Sequence, residues 1–270
     1  MNNSVSFTTE KKWLNVGLTL DCGQAFRWKQ NEDGDWHGIA FSKAVTIRDE
    51  GDKMTFYGAG ENEFKEIWAS YFDLDRDYEK LCGEYLSDSA LAEAVNSYPG
   101  IRILRQEPWE ALCSFIISQN NNIPRIKGII ERLCSTLGED LGDGDRAFPT
   151  PEKILEAGAE GLSPLRAGFR VKYILDAAEK VASGQVDFGK IEALSTAQAA
   201  EELKKIKGVG DKVAACTLLY GFGKVDSFPI DVWVKKILAE TYPKGLPECT
   251  KGTEGIAQQY LFHWRRNVEL

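Results

Sequence analysis

The sequence predicts an α+β protein, in which an antiparallel β-rich segment precedes a long helical body. Residues 1–60 alternate apolar and polar side chains, as strands with one buried face do. From about residue 62 onward, apolar residues recur at steps of three and four, which is typical of helices with one buried face. Turn-forming stretches, NEDGD and DEGD, separate the strands of the first part.

The strands form a predicted antiparallel meander, AFRWKQ, DWHGIAF, AVTIRD and KMTFYGA. WEALCSFIISQ is apolar nearly all round and predicts a central buried helix. The stretch 138–149 is expected to be the most flexible loop, and Gly138 to stop the helix before it. We expect an N-terminal domain over 1–84 and a helical domain over 85–270. The other helices are predicted from ENEFKEIWASYF, DYEKLCGEYL, RIKGIIERLCSTLG, TPEKILEAG, VKYILDAAEKVASG, AQAAEELKKIKG, DKVAACTLLYGF, DVWVKKILAETY and EGIAQQYLFHWRRN.

The composition excludes several classes of protein. The 270 residues contain six cysteines without a CxxC pair and two histidines, which argues against zinc ribbons, cysteine-ligated clusters and a transition-metal site. No apolar run is long enough to span a membrane, and MNNSVSFTTEKKW lacks the apolar core of a signal peptide. We therefore expect an intracellular protein, in the cytoplasm or nucleoid, with reduced thiols.

Charge is distributed unevenly along the chain. The net charge of −8 argues, by itself, against a nucleic-acid binder. Residues 203–238, however, carry seven lysines against three aspartates. This local excess of positive charge fits either a DNA-facing surface or an ordinary solvated helical face.

The stretch KGVGDKVAAC at 207–216 predicts a tight turn between two helices. Glycines permit close approach of another backbone, and the N-terminus of the second helix offers N–H groups to an anion such as a DNA phosphate. An ordinary C-terminal cap followed by a turn would also explain GVG alone. The full pattern Lxx-[IV]-x-GVGxKVA is more specific and indicates a helix-hairpin-helix motif, at about 201–220.

Two residues near this hairpin carry groups suited to catalysis. Lys212 lies in the first turn of the second helix, where the positive helix end disfavours an ammonium group, and a neutral amine forms Schiff bases. A phosphate contact explains this lysine equally well. Asp231, in FPIDVWVKKI, is interpreted either as a helix N-cap or as a carboxylate that stabilises positive charge on a reacting sugar, and both can hold at once.

These motifs together resemble the eukaryotic-type 8-oxoguanine DNA glycosylase/lyases of the helix-hairpin-helix superfamily. The resemblance extends over LDCGQAFRW at 20–28, the stretch 100–134 with SQNNNIPRI, GFRVKY at 168–173, KGVGDKVAAC, FPIDV at 228–232 and IAQQYLF at 256–262. It implies an N-terminal domain of TATA-box-binding-protein-like topology. It also implies an enzyme that flips 8-oxoguanine out of duplex DNA, excises it and nicks the strand by β-elimination.

The resemblance assigns roles to individual residues. Lys212 would be the nucleophile and Asp231 the essential carboxylate. Cys216 and Phe262 would contact the two faces of the extruded base, and Gln258 its Watson–Crick edge. The carbonyl of Gly23 would accept a hydrogen bond from N7–H, which 8-oxoguanine has and guanine lacks. The hairpin residues Gly208, Val209 and Gly210 would bind the DNA backbone.

Four more residues match positions at which proteins of the family contact the opposite strand or the base stack. Asn120, Arg125 and Arg170 would contact the cytosine left behind, whose N3 and O2 accept hydrogen bonds, and Phe169 would wedge into the base stack. Taken without the resemblance, the asparagines also suit a helix-capping loop and the arginines an ordinary surface.

The chain also departs from the family pattern. Lys207 stands where the hairpin usually has proline, which is expected to loosen the turn, and Trp233 replaces a histidine associated with a phosphate contact. No cluster-forming cysteines follow the hairpin. We expect no cofactor, because the amine supplies the electron sink. The resemblance also allows a cation held by hairpin carbonyls, which leaves no sequence signal, and none is predicted.

We expect a monomer that binds duplex DNA containing 8-oxoguanine and does not bind a membrane. Two alternatives stay open at this point. One is a glycosylase with another target, such as an alkylated purine or adenine opposite 8-oxoguanine. The other is a non-catalytic DNA-binding module, which gives no reason for the pocket residues to occur together.

Overall fold

An antiparallel sheet of five strands forms the N-terminal part of the computed structural model, which describes residues 3–268. The residues at the ends of the two predicted domains, 1–2 and 269–270, lie outside the described residues. The strand order is β1-β5-β4-β3-β2. The strands are β1 Ser4–Thr8, β2 Trp28–Gln30, β3 Trp36–Ala40, β4 Lys43–Asp49 and β5 Lys53–Tyr57. The predicted meander corresponds to β2–β5.

Strand β1 is an addition that the sequence analysis did not predict. It pairs with β5 in a register that sets Ser4 opposite Tyr57 and Thr8 opposite Lys53. The ring of Phe7 lies 5.8 Å from that of Phe56. The pairing therefore depends on a strand far along the chain, and the local pattern of β1 carries no information about it.

An aromatic core holds the sheet against a helical segment that follows it. This segment consists of α2 Glu61–Glu63, a π-helical stretch Phe64–Trp68 and α3 Ala69–Tyr71. Trp28 is buried, and its Nε1–H donates to the hydroxyl of Tyr71 at 2.7 Å. The ring centroids of Trp28 and Trp68 lie 6.2 Å apart. Burial of these large rings is a major source of stability for the domain.

The rest of the described chain is mostly helical, which confirms the predicted α+β class. A short helix, α1 Val16–Leu20, precedes β2. The body contains α4 Tyr78–Tyr85, α5 Ser89–Ser97, α6 Pro108–Ser118, α7 Ile123–Leu137, α8 Pro151–Gly161, α9 Val171–Ala182, α10 Phe188–Ala193, α11 Thr196–Lys204, α12 Asp211–Phe222, α13 Val232–Glu240 and α14 Glu254–Val268. Short 3₁₀ turns lie at Ser163–Leu165, Gly168–Arg170 and Glu248–Thr250.

Helix α6 is central, as its sequence predicts, since nine of its 11 residues are buried. It packs along α12, and the rings of Phe115 and Tyr220 stack at 5.2 Å. Helix α7 ends before Gly138, also as predicted. A Cβ at Gly138 would lie 2.1 Å from the carbonyl oxygen of Ala147, so no larger residue fits there without a shift of the backbone.

The stretch 138–149, which is expected to be the most flexible loop, includes a regular element that the sequence does not indicate. It contains a short antiparallel ribbon, β6 Asp140–Gly142 and β7 Asp145–Arg146. The ring of His37 on β3 is hydrogen-bonded to the carboxylate of Asp145 at 3.0 Å. This contact fixes the ribbon to the sheet, and glycine-rich composition alone does not reveal it.

Two hydrophobic cores lie within the described residues. The sheet core extends to Phe72 and includes Leu104, whereas Tyr78 and later residues pack in the core of the helical body. The division of the chain after residue 84 stays a prediction. No helix within residues 3–268 combines the length and hydropathy that crossing a membrane requires.

Candidate functional site

The helix-hairpin-helix is formed by α11, a turn and α12, as predicted. Gly208 has φ +82°, and a Cβ there would lie 2.4 Å from atoms of the Tyr173 ring. Val209 is buried. Gly210 is exposed and is the N-cap residue of α12, and no side chain caps the helix there. The first N–H groups of α12 are therefore open to an anion.

Lysine 207, which was expected to loosen the turn, does not do so. Its backbone N–H donates to the carboxylate of Asp176 on α9 at 2.6 Å. Proline has no N–H group and could not make this bond. The substitution therefore adds an anchor to the hairpin.

Lys212 is half-buried on the first turn of α12. Its ammonium group donates to Ser118 Oγ at 3.4 Å and lies 5.1 Å from the centroid of the Phe115 ring. It forms no ion pair with any residue that the structure describes. An amine held without a carboxylate partner is well placed to act as a nucleophile.

Asp231 is the N-cap of α13, as one interpretation of the sequence predicts. Its Oδ1 accepts from the backbone N–H groups of Trp233 at 3.0 Å and Val234 at 2.8 Å. The second carboxylate oxygen has no hydrogen-bond partner among residues 3–268. Capping fixes the carboxylate while it leaves one oxygen able to face a substrate, so the two interpretations are compatible.

A small inner pocket joins the two catalytic candidates to the predicted base-binding residues. Its volume is about 50 Å³, and it opens toward a cleft of about 1350 Å³. The pocket has room for only a few water molecules, so a purine enters only if the pocket widens. Its lining includes all six residues predicted for catalysis and the base pocket: Gly23, Lys212, Cys216, Asp231, Gln258 and Phe262.

Gln258 provides an unsatisfied acceptor in this pocket. The residue is 5% exposed, and its Oε1 has no hydrogen-bond partner. A buried amide oxygen without a partner is costly, and a ligand that donates a hydrogen bond removes that cost. Cys216 lies nearby, and burial raises the pKa of its thiol, although Lys212 opposes the shift. Cys216 is therefore an uncharged packing surface.

Gly23 lies in the loop between α1 and β2 and has φ +87°. A Cβ at this position would lie 3.4 Å from Ile123 Cδ1 and 3.9 Å from the Phe262 ring. Glycine thus permits a backbone conformation that other residues rarely adopt, directly beside the pocket.

Two buried glutamines, for which the sequence predicts no role, hold this loop in place. Gln24 is fully buried, donates to the carbonyl of Arg102 at 2.7 Å and accepts from Leu104 N–H at 2.9 Å. Gln259 donates to the carbonyl of Cys22 at 3.3 Å and accepts from the Tyr220 hydroxyl at 2.6 Å. In the sequence, these glutamines stand out only as polar residues next to apolar ones. That pattern does not show which backbone groups they bind.

The predicted readers of the opposite strand lie around the start of α7 and the turn before α9. Asn120 lines the larger cleft, is exposed and has φ +48°. Arg125 is exposed, and its Nη2 lies 3.5 Å from the carbonyl of Arg166. Phe169 is 45% exposed and meets Tyr173 edge-on.

Arg170 is buried and bonded to backbone carbonyls, although it was predicted to contact DNA. It is 2% exposed and donates to the carbonyl oxygens of Gln119, Asn120 and Ala167. Burial lowers the pKa of its guanidinium, and Arg125 adds to the effect. These hydrogen bonds leave one N–H of Nη1 without a partner among the described residues, and the role of Arg170 in reading cytosine stays a prediction.

The lysine-rich region is less positive than its sequence suggests. Lys204 pairs with Glu201 and Asp211, and Lys205 pairs with Glu202. Lys224 donates to backbone carbonyls at the end of α10. Lys204, Lys205 and Lys224 are therefore engaged by the protein itself. Trp233 and Lys235 line the cleft.

Fold and site together define the class: a helix-hairpin-helix protein with a lysine and a carboxylate beside a small recess that opens beside a larger cleft. A family model for the 8-oxoguanine DNA glycosylase N-terminal domain matches residues 6–112, and one for the HhH-GPD superfamily of base excision DNA repair proteins matches residues 113–248. The chain therefore belongs to the 8-oxoguanine DNA glycosylase family within that superfamily.

Individual relatives support the same assignment. The N-glycosylase/DNA lyase of Saccharomyces cerevisiae is 32% identical, over 86% of this chain and 69% of its own length. A solved structure of MBOgg1 with a low-affinity DNA ligand matches with a TM-score of 0.92 and 39% identity, covering 100% of this chain and 98% of that one. The Clostridium acetobutylicum 8-oxoguanine glycosylase/lyase, bound to duplex DNA with cytosine opposite 8-oxoG, matches with a TM-score of 0.91 and 36% identity over 100% and 99% of the two chains.

These relatives confirm the expectation of an enzyme of the N-glycosylase/DNA lyase type. The alternative of a non-catalytic DNA-binding module is thereby excluded.

Proposed function

We propose that this enzyme excises 8-oxoguanine from duplex DNA, preferentially opposite cytosine, and then cleaves the strand through a Schiff base on Lys212. One observation carries the proposal. A single recess joins the Lys212 amine and the Asp231 carboxylate to the buried, unpartnered Oε1 of Gln258. The DNA complexes of the MBOgg1 and Clostridium acetobutylicum relatives support duplex DNA as the partner.

Recognition of the base follows from hydrogen-bond complementarity. The N1–H and N2–H groups of guanine-type bases donate on their Watson–Crick edge, and Gln258 Oε1 would accept from them. The carbonyl of Gly23 would accept from N7–H of 8-oxoguanine, whereas guanine would bring a lone pair to the same place. A site built around such a bond rejects the wrong base strongly, by about 10⁴ in favourable cases. Cys216 and Phe262 would enclose the ring faces.

The chemistry begins at the Lys212 amine. Its Nζ attacks C1′ of the sugar, the glycosidic bond breaks, and its electron pair leaves with the base, which takes up a proton. Asp231 stabilises the positive charge that develops on the sugar. The sugar ring then opens to a Schiff base, a proton leaves C2′, and the 3′ phosphate departs with the C3′–O electrons. Ser118 and Phe115 hold the amine in position.

Reading of the opposite base would fall to Asn120, Arg125 and Arg170. Cytosine presents N3 and O2 as acceptors, whereas the amino group of adenine would face the arginine donors. Each lost charged hydrogen bond costs about 1.5–3 kcal/mol. We therefore expect release of 8-oxoguanine opposite cytosine to exceed release opposite adenine by at least about tenfold.

A trapping experiment tests the proposal. A duplex with one 8-oxoguanine opposite cytosine is incubated with the protein in the presence of borohydride, which reduces an imine to a stable covalent link. Wild type should be trapped on the DNA, and Lys212→Gln should lose both trapping and base release. Lys235→Gln, which changes a second lysine of the cleft, should still be trapped.

Three results would contradict the proposal. Undiminished trapping of Lys212→Gln would assign the nucleophile to another lysine. Release of alkylated purines in preference to 8-oxoguanine would favour the other glycosylase target. Equal release opposite cytosine and adenine would remove the opposite-base preference while leaving the lysine chemistry intact.

A further inference from the structure

Arg266 is a charged residue of the cleft that has no role in the proposed reaction. It lies near the end of α14, is half-buried and lines the same cleft as Lys212 and Phe262. It makes no hydrogen bond or ion pair with any residue that the structure describes. A guanidinium carries five donors and is always charged, so an unpaired one inside a cleft is suited to an anionic ligand.

The position of Arg266 along its helix relates it to the base pocket. Gln258, Phe262 and Arg266 are spaced by four residues and therefore share one face of α14, with about 6 Å between successive members. Gln258 is buried, while Phe262 and Arg266 are half-exposed, so the face runs from the floor of the pocket to its mouth. A nucleotide that places its base at Gln258 and Phe262 would bring its backbone toward Arg266.

The neighbouring residue provides a contrast. The Nη2 of Arg265 lies 2.6 Å from Glu240 Oε2 on α13, so this arginine joins two helices. Two consecutive arginines thus have different environments, one in an ion pair between helices and one in the cleft.

We propose that Arg266 binds a phosphate of the lesion-bearing strand beside the extruded nucleotide. The inference rests on the proposed function, because it assumes that the base enters the inner pocket. Arginine matches phosphate oxygens with paired, charge-assisted hydrogen bonds. Arg266 is a binding residue in this scheme, and takes no part in the transfer of bonds at C1′.

His263 supplies an independent readout beside Arg266. Burial lowers the pKa of its imidazole, Arg266 lowers it further and Asp21 opposes them. Its ring meets that of Tyr98 edge-on at 4.6 Å. A phosphate bound at Arg266 adds negative charge and therefore raises the pKa of His263. The chain has only two histidines, and the other, His37, lies on the sheet, so NMR can follow both rings separately.

The test uses the full chain with Lys212→Gln, which prevents turnover, and compares Arg266→Gln with the matched variant Arg265→Gln. Binding to an 8-oxoguanine:C duplex and to the same undamaged duplex is measured over a range of salt concentrations. Arg266→Gln should weaken binding to the lesion duplex by about tenfold and reduce the salt slope by about 0.9, as expected for one phosphate. Arg265→Gln should retain the slope. The pKa of His263 should rise on DNA binding in the parent and less in Arg266→Gln.

The outcomes separate this inference from the function on which it rests. If the parent bound lesion and undamaged duplexes equally, the assignment of the base pocket would be at fault. If the parent preferred the lesion and both arginine variants behaved alike, Arg266 would have no phosphate role. An equal loss of affinity for both duplexes in Arg266→Gln would make it a general backbone contact and would also overturn the proposed site beside the extruded nucleotide.

Discussion

Gly208→Ala should destabilise the hairpin much more than the corresponding change at Gly210. At Gly208 the backbone has φ +82°, and an added Cβ would lie 2.4 Å from the ring of Tyr173. The left-handed conformation costs an alanine about 1–2 kcal/mol, and the overlap with the ring adds about 1–3 kcal/mol. Reduced freedom of the unfolded chain offsets about 0.4–1 kcal/mol of this. We therefore expect the free energy of unfolding to fall by about 1–4.5 kcal/mol.

Gly210 is the matched control two residues away. No atom lies within 4 Å of a Cβ built there, and Gly210 is not at positive φ. Its replacement by alanine weakens the N-cap of α12 by about 0.5–1 kcal/mol. The added methyl group would, however, stand at the exposed turn beside the free N–H groups of α12. Gly210→Ala should therefore weaken DNA binding with little change in stability.

Urea unfolding followed by circular dichroism, and binding to a short undamaged duplex, measure the two effects. The loss at Gly208 corresponds to a fall in Tm of roughly 2–8 °C for a chain of this size. Equal unfolding free energies for the two variants would show that Tyr173 moves aside at no cost, and would refute the packing argument. Unchanged DNA binding in Gly210→Ala would refute the assignment of this turn to the backbone contact.

Two other predictions concern ionisable side chains that the fold removes from solvent, Arg170 and His263. Arg170→Ala should lower the free energy of unfolding by about 1.5–3 kcal/mol in urea titrations, because buried carbonyls lose a charged donor. It should also reduce the preference for cytosine over adenine in single-turnover base release, and equal slowing of both substrates would rule out a reader. Since the pKa of His263 is lowered on folding, the unfolded chain binds its proton more readily, and stability should fall as pH drops below about 6.5. His263→Leu should flatten this fall in thermal unfolding at several pH values, and an unchanged pH profile would contradict the assignment.

Local periodicity was sufficient to predict α6 and α12, because the apolar residues that each helix buries lie close together in the sequence. It was insufficient for β1, which pairs with the distant strand β5, and for the ribbon that His37 contacts. Both depend on contacts between distant parts of the chain, which a local pattern does not encode.

The same distinction applies to the site. The family resemblance predicted Gly23, Lys212 and Gln258 as parts of one site, and all three line the inner pocket, while their roles stay predictions. It gave no information on what each charged side chain faces: Lys204 is paired within the hairpin region, and Arg170 donates to carbonyls. Such orientations depend on the packing of neighbouring helices, so they could only be seen in three dimensions.

The composite construction of the pocket has a consequence for how such enzymes diversify. Gly23 comes from a loop before the second strand, Lys212 and Asp231 from the beginning of two helices, and Gln258 from the last helix. Under the proposed roles, a substitution in the loop or on α14 can alter which base is accepted without displacing the amine or the carboxylate. Substrate range and reaction chemistry could then evolve separately, and a lineage could acquire a new target while it retains the proposed catalytic pair.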